Sequence, residues 1–207
     1  MHGPIIPGLR YNQDMIFLVG LGNPGETYQH TRHNVGFETL DVLKQNWTEH
    51  NHIQIPAFRL ESKWKAEVAI AKGLVCVKPQ TYMNLSGQAV RLVVQFYDKS
   101  LWQNRGQGLP TLWVCHDDLD IPLGSFKIQW GVGPKVHNGL SSLYQELGTE
   151  LFWHVRIGID DRAGDRSMPG AAYVLQKLPT DEKQKLTQVQ QLLSQRLLAA
   201  VKEKISL

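Results

Sequence analysis

The sequence contains few cysteines, and they are not grouped in a way that could build a covalent or metal-bound framework. Cys76 and Cys115 each lie in a short apolar run that predicts a buried β-strand. Disulfide-rich domains and structural zinc sites both need several cysteines at short, regular spacings. The sequence therefore excludes both classes, and we interpret the two thiols as small buried side chains.

Long apolar runs are also absent, since no stretch approaches the roughly 20 residues that a membrane-spanning helix requires. Residues 1–14 lack the apolar core of a signal peptide and the arginine and serine content of a transit peptide. We therefore expect a cytoplasmic protein without a membrane partner. The formal net charge of +3 does not argue for a polyanionic partner, so any phosphate site must come from a local cluster of cations.

A nucleophile elbow is likewise missing, because no serine or cysteine occupies such a turn, so an attacking group would be water. What the sequence does contain is the stretch 15–36, MIFLVGLGNPGETYQHTRHNVG. Its apolar run Met15–Val19 predicts a strand buried on both faces, followed by a turn rich in glycine, asparagine and proline. The polar run beyond this turn carries His33, which can exchange a proton near neutral pH.

The same stretch also spells the dinucleotide-binding pattern G-x-G-x-x-G at Gly20, Gly22 and Gly25. That pattern needs a helix to begin within the glycines, so that the helix N-terminus faces a pyrophosphate. Pro24 and the polar residues 26–33 show no apolar pattern of helical period at that point. Apolar residues at helical spacing resume only at Phe37. A Rossmann-type dehydrogenase is therefore a weak alternative, as is a plain turn with a solvated histidine.

The order of predicted elements is strand, helix, hairpin, helix, strand, strand, helix, strand, helix. This order predicts a single-domain α/β fold, a three-layer sandwich in which helices flank a mixed, mostly parallel central sheet. We expect residues 1–14 to form an irregular extension and residues 15–207 to form the domain. Residues 48–62 and 99–110 read as connections, and Ser86 and Asn138 read as helix N-caps.

Polar residues follow or precede several of these elements, where parallel strands would bring them to one edge of the sheet. They are Asn23, His33, Asn84, Asp117 and the adjacent pair His137 and Asn138. A histidine bonded to a carboxylate is fixed in one tautomer, as a general base requires, and asparagine amides can position water or stabilise an oxyanion. Each residue could instead be a surface or helix-boundary residue.

The segment His116–Asp120 also raises the possibility of a divalent cation. In an extended strand Asp118 and Asp120 would share one side while Asp117 faced the other. Since no second cluster of ligands has suitable spacing, we predict that no metal binds.

Five motifs together resemble the bacterial-type peptidyl-tRNA hydrolase family. They are GLGNPGETYQHTRHNVG (20–36), KPQTYMNLSG (78–87), HDDLDIPLG (116–124), HNGL (137–140) and VRIGI (155–159), in the order found in that family. The resemblance implies hydrolysis of the ester between a peptide and tRNA, which recycles tRNA from aborted translation. It implies a peptidyl-tRNA substrate, a monomer with no obligate protein partner, and no metal or organic cofactor.

The resemblance also implies roles for individual residues. His33 would be the general base that activates water, Asp117 would hold its imidazole, and Asn23 would position water or substrate. The remaining implied residues bind the peptide or line the cleft: Tyr28, Met83, Asn84 and Asn138.

A lysine and an arginine that grip a tRNA phosphate are further implied by the family pattern. Arg156 matches the arginine. At the lysine position this sequence has Gln129, and Lys127, two residues earlier and on the same strand face, is our hypothetical substitute.

The sequence departs from the family again just before His-Asn-Gly, where relatives have a glycine-dense loop. Here residues 131–136 read GVGPKV, so Pro134 stiffens the loop and Val136 adds a branched side chain beside the expected cleft. This loop leaves a second hypothesis open, namely a non-catalytic RNA-binding relative on the same fold.

Overall fold

The computed structural model describes residues 15–51 and 54–205, and side chains are described as far as 49 and 201 within the first and last helices. The expectation of an irregular extension over residues 1–14 lies outside the described residues.

The described part of the chain forms a sheet of seven strands: β1 (Ile16–Gly20), β2 (Arg59–Glu61), β3 (Ala66–Ala71), β4 (Leu74–Pro79), β5 (Leu109–Pro122), β6 (Phe126–Trp130) and β7 (Phe152–Asp160). Their order across the sheet is β2-β3-β4-β1-β5-β7-β6. Strands β4, β1, β5 and β7 are parallel neighbours, and β3 and β6 run antiparallel to theirs. Since β2 is antiparallel to β3, it runs with the majority. The predicted mixed, mostly parallel sheet is confirmed.

Helices cover both faces of the sheet: α1 (Val35–Asn51), α2 (Ser86–Tyr97), α3 (Lys99–Gln103), α4 (Asn138–Leu147), α5 (Gly170–Tyr173) and α6 (Thr180–Ile205). Successive residues of β1 point to opposite faces, so that Ile16 and Leu18 pack toward α1 and α6. Phe17 and Val19 pack toward α2 and α4. The continuous apolar run of β1 is thus explained by burial on both faces, and the three-layer arrangement is confirmed.

Two predicted connections contain regular structure. Residues 48–62 include the end of α1 and the edge strand β2, whose side chains are exposed or half-buried and so give no apolar alternation. Residues 99–110 include α3, which is capped by the side chain of Asp98, and the first residues of β5.

Both predicted N-caps were wrong by one position. Ser86 is the first residue of α2, after Leu85, which provides no side-chain cap. Asn138 is the first residue of α4, and the cap is the preceding His137, whose ring accepts from the backbone. In α2 tertiary packing sets the start, because Gly87 donates its backbone N–H to the Ser142 hydroxyl of α4 at 3.0 Å.

Strand β5 is much longer than the short apolar run around Cys115 from which a strand is predicted, and this difference has the largest effect on the site. Beyond the end of β1 it continues to pair with β7, in the register Asp117↔Ile157 and Asp118↔Gly158. The acidic residues therefore lie within a strand, and alternation sends Asp117 and Asp118 to opposite faces.

Candidate active site

The end of β1 leaves β5 uncovered on one side, and the candidate site lies there. β1 pairs with β5 only as far as Gly20↔Cys115. The loop after β1 returns to the sheet at the start of α1, where a Cβ on Gly36 would overlap the carbonyl oxygen of Cys115. Because only glycine permits this approach, the turn before α1 reaches β5 and brings His33 beside Asp117.

His33 and Asp117 form a buried hydrogen-bonded pair. His33 Nδ1 lies 2.7 Å from Asp117 Oδ1, and the two residues are 8% and 3% exposed. Burial by itself lowers the pKa of His33, but the charge of Asp117 and this hydrogen bond outweigh it and raise the pKa above its ordinary value. Burial raises the pKa of Asp117, whereas the neighbouring imidazoles hold it far below its ordinary value. The ionised carboxylate accepts from Nδ1–H, so Nε2 of the neutral His33 ring carries no proton.

Asn23 ties the loop after β1 to the turn that precedes α2. Its side-chain oxygen accepts from the backbone N–H of Met83 at 2.8 Å. Its backbone is held by Asn34, whose carboxamide donates to Asn23 O at 2.9 Å and accepts from Asn23 N at 2.8 Å. The side-chain NH₂ of Asn23 has no hydrogen-bond partner among the described residues, so it remains a donor.

The four residues implied to bind the peptide differ in exposure. Asn84 and Asn138 are exposed; Asn84 lies in the 3₁₀ turn before α2, and Asn138 is the first residue of α4. Met83 is buried, and its sulfur lies 2.5 Å from the position that a Cβ on Gly139 would take. Tyr28 is half-buried, and its ring centroid lies 6.5 Å from that of an exposed tyrosine, Tyr82, in edge-on geometry.

His137 is a second imidazole on the same carboxylate; the sequence places it beside Asn138 among the polar residues at the sheet edge but assigns it no role. Its Nε2 lies 3.0 Å from Asp117 Oδ1, and its ring centroid lies 5.0 Å from that of His33. His137 and Asn34 are each adjacent in the sequence to a candidate site residue, Asn138 and His33, and this adjacency was the available signal. The contacts of His137 with Asp117 and of Asn34 with Asn23 could not be predicted from the sequence.

The two residues implied to bind phosphate lie on β7 and β6, on the face of the sheet opposite to Asp117. Arg156 is buried; its Nε donates to Asp118 Oδ2 at 2.7 Å and its Nη1 donates to Gln129 Oε1 at 2.7 Å. Lys127 is exposed and directly opposite Arg156 in the β6–β7 register, so the two side chains share a face. The sequence therefore placed this pair together but missed the buried Asp118 that partners the guanidinium.

Three of these side chains also have the composition of a metal site. One ligand atom each from His33, Asp117 and His137 lies within 4.8 Å of the others. However, the two imidazole nitrogens lie at hydrogen-bond distances of 2.7 and 3.0 Å from one carboxylate oxygen. A tetrahedral zinc with ligand bonds of about 2.0–2.1 Å would need its ligand atoms roughly 3.3 Å apart, so these spacings fit shared protons better than a metal.

A cavity adjoins the His33–Asp117 pair. Its walls come from the end of β5, the loop before α4 and the segment around α5, and the lining residues are His33, Asp117, Leu119, Asp120, Pro134, Lys135, Val136, His137, Asn138, Gly170, Ala171 and Val174. A candidate base and an exposed amide thus face one concave space, where a substrate can meet both.

Among the described residues, no helix is both long and apolar enough to cross a membrane.

The family model of peptidyl-tRNA hydrolase matches residues 17–206. The chain belongs to this family. A curated peptidyl-tRNA hydrolase from Neisseria meningitidis serogroup C is 39% identical over 173 residues, covering 82% of this chain and 81% of the relative. One from Bacillus velezensis is 39% identical over 145 residues, covering 70% of this chain and 71% of the relative. The crystal structure of the Acinetobacter baumannii peptidyl-tRNA hydrolase superposes with a TM-score of 0.68 at 28% identity, covering 93% of this chain and 95% of that chain.

The loop 131–136, for which the sequence predicts a departure from the family pattern, lies beside the cavity that adjoins the His33–Asp117 pair. Pro134, Lys135 and Val136 line the same cavity as His33, and Val136 is 84% exposed. Gly131 has a φ of 62°, which suits glycine, and ends β6. Pro134, Lys135 and Val136 therefore form part of the rim of the cavity, beside the His33–Asp117 hydrogen bond.

Proposed function

We propose that this chain hydrolyses the ester bond between a peptide and tRNA, with His33 as the general base. The observation that carries this proposal is the buried hydrogen bond between His33 Nδ1 and Asp117 Oδ1 beside an open cavity. The family to which the chain belongs, and its curated relatives named peptidyl-tRNA hydrolase, support the same activity.

In the reaction, Nε2 of neutral His33 takes a proton from water while the water oxygen attacks the ester carbonyl carbon. The resulting oxyanion needs donors, and in this proposal the amides of Asn84, in the turn before α2, and Asn138, the first residue of α4, provide them. When the intermediate collapses, the bond to the tRNA ribose oxygen breaks and protonated His33 returns its proton to that oxygen. The products are a tRNA with a free ribose hydroxyl and a peptide carboxylic acid, which loses its remaining proton to solvent to become the carboxylate.

Asn23 and Asp117 act on this step without forming a covalent bond. Asp117 keeps the proton of His33 on Nδ1 and stabilises the imidazolium that forms. The free NH₂ group of Asn23 is a donor that can hold the attacking water or the substrate near the base. In this proposal Tyr28 and Met83 complete the walls of the peptide site. Met83 is buried and supports the start of α4 through its contact with Gly139.

The phosphate contact falls to Arg156 and Lys127. Arg156 retains unpaired N–H groups after its bonds to Asp118 and Gln129, because a guanidinium has five donors. Lys127 adds an exposed charge beside it. Since Asp118 offsets part of the charge of Arg156, we expect this contact to depend more on hydrogen-bond geometry than on net charge.

We also propose, from the family and the composition, a monomer that acts in the cytoplasm without a metal or organic cofactor. In this proposal residues 15–207 form one domain. The RNA-binding alternative rests only on the loop 131–136, whereas the paired base and carboxylate favour the enzyme. The dinucleotide alternative has little support, since short 3₁₀ turns follow the glycines and α1 begins only at Val35.

The test is release of N-acetyl-aminoacyl groups from charged tRNA by the wild type and by His33→Ala. We expect rapid release by the wild type, with aminoacyl-tRNA that has a free amino group spared. His33→Ala should lose hydrolysis by a factor of roughly 100 or more while keeping its tRNA affinity, because the variant removes the base and leaves the phosphate contacts. Tight tRNA binding without release by the wild type would instead favour the RNA-binding relative.

A further inference from the structure

The mechanism above leaves the second imidazole on Asp117 unused, although that ring is held from both sides. His137 Nε2 lies 3.0 Å from Asp117 Oδ1, the oxygen that His33 also contacts. On the other side of the ring, His137 Nδ1 accepts from the backbone N–H groups of Gly139 at 3.1 Å and Leu140 at 3.3 Å. A nitrogen that accepts carries no proton, so the proton of the neutral ring lies on Nε2 and points at Asp117.

We propose that His137 is a positioning residue, which donates its Nε2–H to Asp117 and thereby fixes the orientation and effective charge of the carboxylate that serves His33. This inference rests on the proposed function, since it concerns the same site. His137 itself does not exchange a proton with the substrate in this scheme.

The N-terminus of α4 contributes directly to the orientation of Asp117 and, through it, of His33. Its first backbone N–H groups are without helical partners, and they hold His137 in one tautomer. That tautomer in turn holds one oxygen of Asp117, whose side chain and that of His137 are each 3% exposed. Because Asp117 Oδ1 then receives two N–H donors, it cannot rotate without losing both bonds.

The second donor also adjusts the strength of the base. A carboxylate that shares its charge with two donors stabilises each of them less than it would stabilise one alone. His137 therefore limits how far Asp117 raises the proton affinity of His33. The limit is useful, because a general base works best when its pKa stays near the working pH.

The other ionisable groups around Asp117 do not replace this role. The His116 ring lies edge-on to His137, with centroids 5.3 Å apart, and its Nδ1 is bonded to the Asp117 backbone carbonyl at 3.0 Å. Burial holds the pKa of His116 well below its ordinary value, and burial lowers that of His154, behind it, to about 4. The remaining charged groups near the pair are Arg156, bonded to Asp118, and Asp120 and Lys135 in the cavity wall; the α5 segment contributes Gly170, Ala171 and Val174.

Two substitutions separate the two bonds of the ring. In His137→Asn the side-chain oxygen can still accept from the backbone as an N-cap, but the side chain is too short to reach Asp117. In His137→Gln the side-chain NH₂ lies about where Nε2 lies and can donate to Asp117, whereas the cap is lost. The pH dependence of kcat/KM and the thermal midpoint are measured for both variants and the wild type.

For His137→Asn we expect the acid limb of kcat/KM to move up by about one pH unit, because an unshared Asp117 stabilises protonated His33 more strongly. We also expect kcat to fall roughly tenfold with KM within about twofold. For His137→Gln we expect a lower thermal midpoint with the acid limb at its wild-type position. A folded His137→Asn with the wild-type limb, or equal shifts in both variants, would overturn the proposal.

A nitrogen-15 spectrum of the histidine rings tests the same inference without relying on activity. In the wild type we expect the His137 ring to show an unprotonated Nδ1 and a protonated Nε2, and His33 to titrate at higher pH in His137→Asn. A protonated Nδ1 on His137 would refute the inference. If the wild type released no acyl group, the proposed function would fail, and this spectrum would still decide the positioning contact.

Discussion

Asp117 is the residue on which the other candidate catalytic side chains depend. Burying a lone carboxylate is unfavourable, and by itself burial would favour the protonated form. The two imidazoles on Oδ1 reverse this preference, so Asp117 stays ionised and can hold His33 through Nδ1. One residue therefore determines the protonation state, the tautomer and the orientation of the base.

The pH dependence of the reaction follows from that pair. His33 acts in its neutral form and its pKa is raised, so kcat/KM should rise with pH along a limb centred above the ordinary histidine value of 6.5. Asp117→Asn removes the attraction that raises the pKa and leaves the burial that lowers it. We expect its limb to move to lower pH and the plateau rate to fall by about a hundredfold or more, since the tautomer is no longer fixed.

The measurement is a pH–rate profile of kcat/KM on N-acetyl-aminoacyl-tRNA for the wild type and Asp117→Asn. A limb that stayed in place after the substitution would mean that Asp117 does not set the proton affinity of His33.

At the scale of elements, the register of β5, β6 and β7 builds the candidate phosphate contact. Asp118, Lys127 and Arg156 come from three different strands, and they meet because both pairings align them on one face. Alternation places Asp117 on the other face of β5. Asp117 and the residues of the phosphate contact thus lie on opposite faces of the sheet, so substitution of Arg156 should leave the His33–Asp117 hydrogen bond in place.

Arg156→Ala should weaken tRNA binding and reduce the slope of log K against log salt by about one, with little change in the kcat of bound substrate. Binding isotherms at several salt concentrations measure this slope. Lys44→Ala is the matched control, because it removes one positive charge from α1, on the opposite face of the sheet, and should leave the slope unchanged. Equal slopes for Arg156→Ala and the wild type would remove Arg156 from the contact.

A second element-scale feature is the close approach of α2 and α4, which sets the spacing of Asn84 and Asn138. A Cβ on Gly87 would overlap the backbone of Ser142. Gly87→Ala should therefore push the helices apart, cost about 1–3 kcal/mol of unfolding free energy and raise KM.

Gly106→Ala is the control for that change, since a Cβ there meets nothing within 4 Å. It should alter the unfolding free energy by less than about 0.5 kcal/mol. Urea unfolding and steady-state kinetics on both variants provide the comparison, and equal stabilities would show that the contact between α2 and α4 relaxes without strain.

At the scale of the whole molecule, Arg32 joins the site to the C-terminal part of the chain. Its guanidinium pairs with Glu182 of α6 and lies 4.2 Å from the centroid of the Tyr173 ring. The next residue, His33, donates its backbone N–H to Val174 at 2.8 Å. The turn that carries the base is therefore fixed to residues more than 140 positions later.

Arg32→Met should remove about 3–5 kcal/mol of unfolding free energy, because it leaves Glu182 buried without its cation. The exposed pair of Lys185 with Asp161 is the matched comparison, and Lys185→Met should cost less than about 1 kcal/mol. Thermal and urea unfolding measure both variants. Similar losses in the two would show that the Arg32 pair contributes no more than a surface pair.

The sequence by itself determined the layers of the fold and most of the candidate residues. The buried run at β1 and the helical spacing after Phe37 both arise from local burial, which leaves a recognisable pattern in the chain. The family could also be identified from the sequence, because its motifs are contiguous segments; they contain Asn23, His33, Asn84, Asp117 and Asn138.

Only the tertiary structure decided how those segments act on one another. The extension of β5 past the end of β1 depends on its pairing with β7. The edge strand β2 is largely exposed, so its sequence has no apolar pattern from which the strand could be predicted. The second donor to Asp117 is His137, 20 residues later in the sequence. The partner of Arg156 is Asp118, 38 residues earlier and on another strand. Such contacts arise from register and helix placement, which are set by packing between distant segments and leave no periodic pattern along the chain.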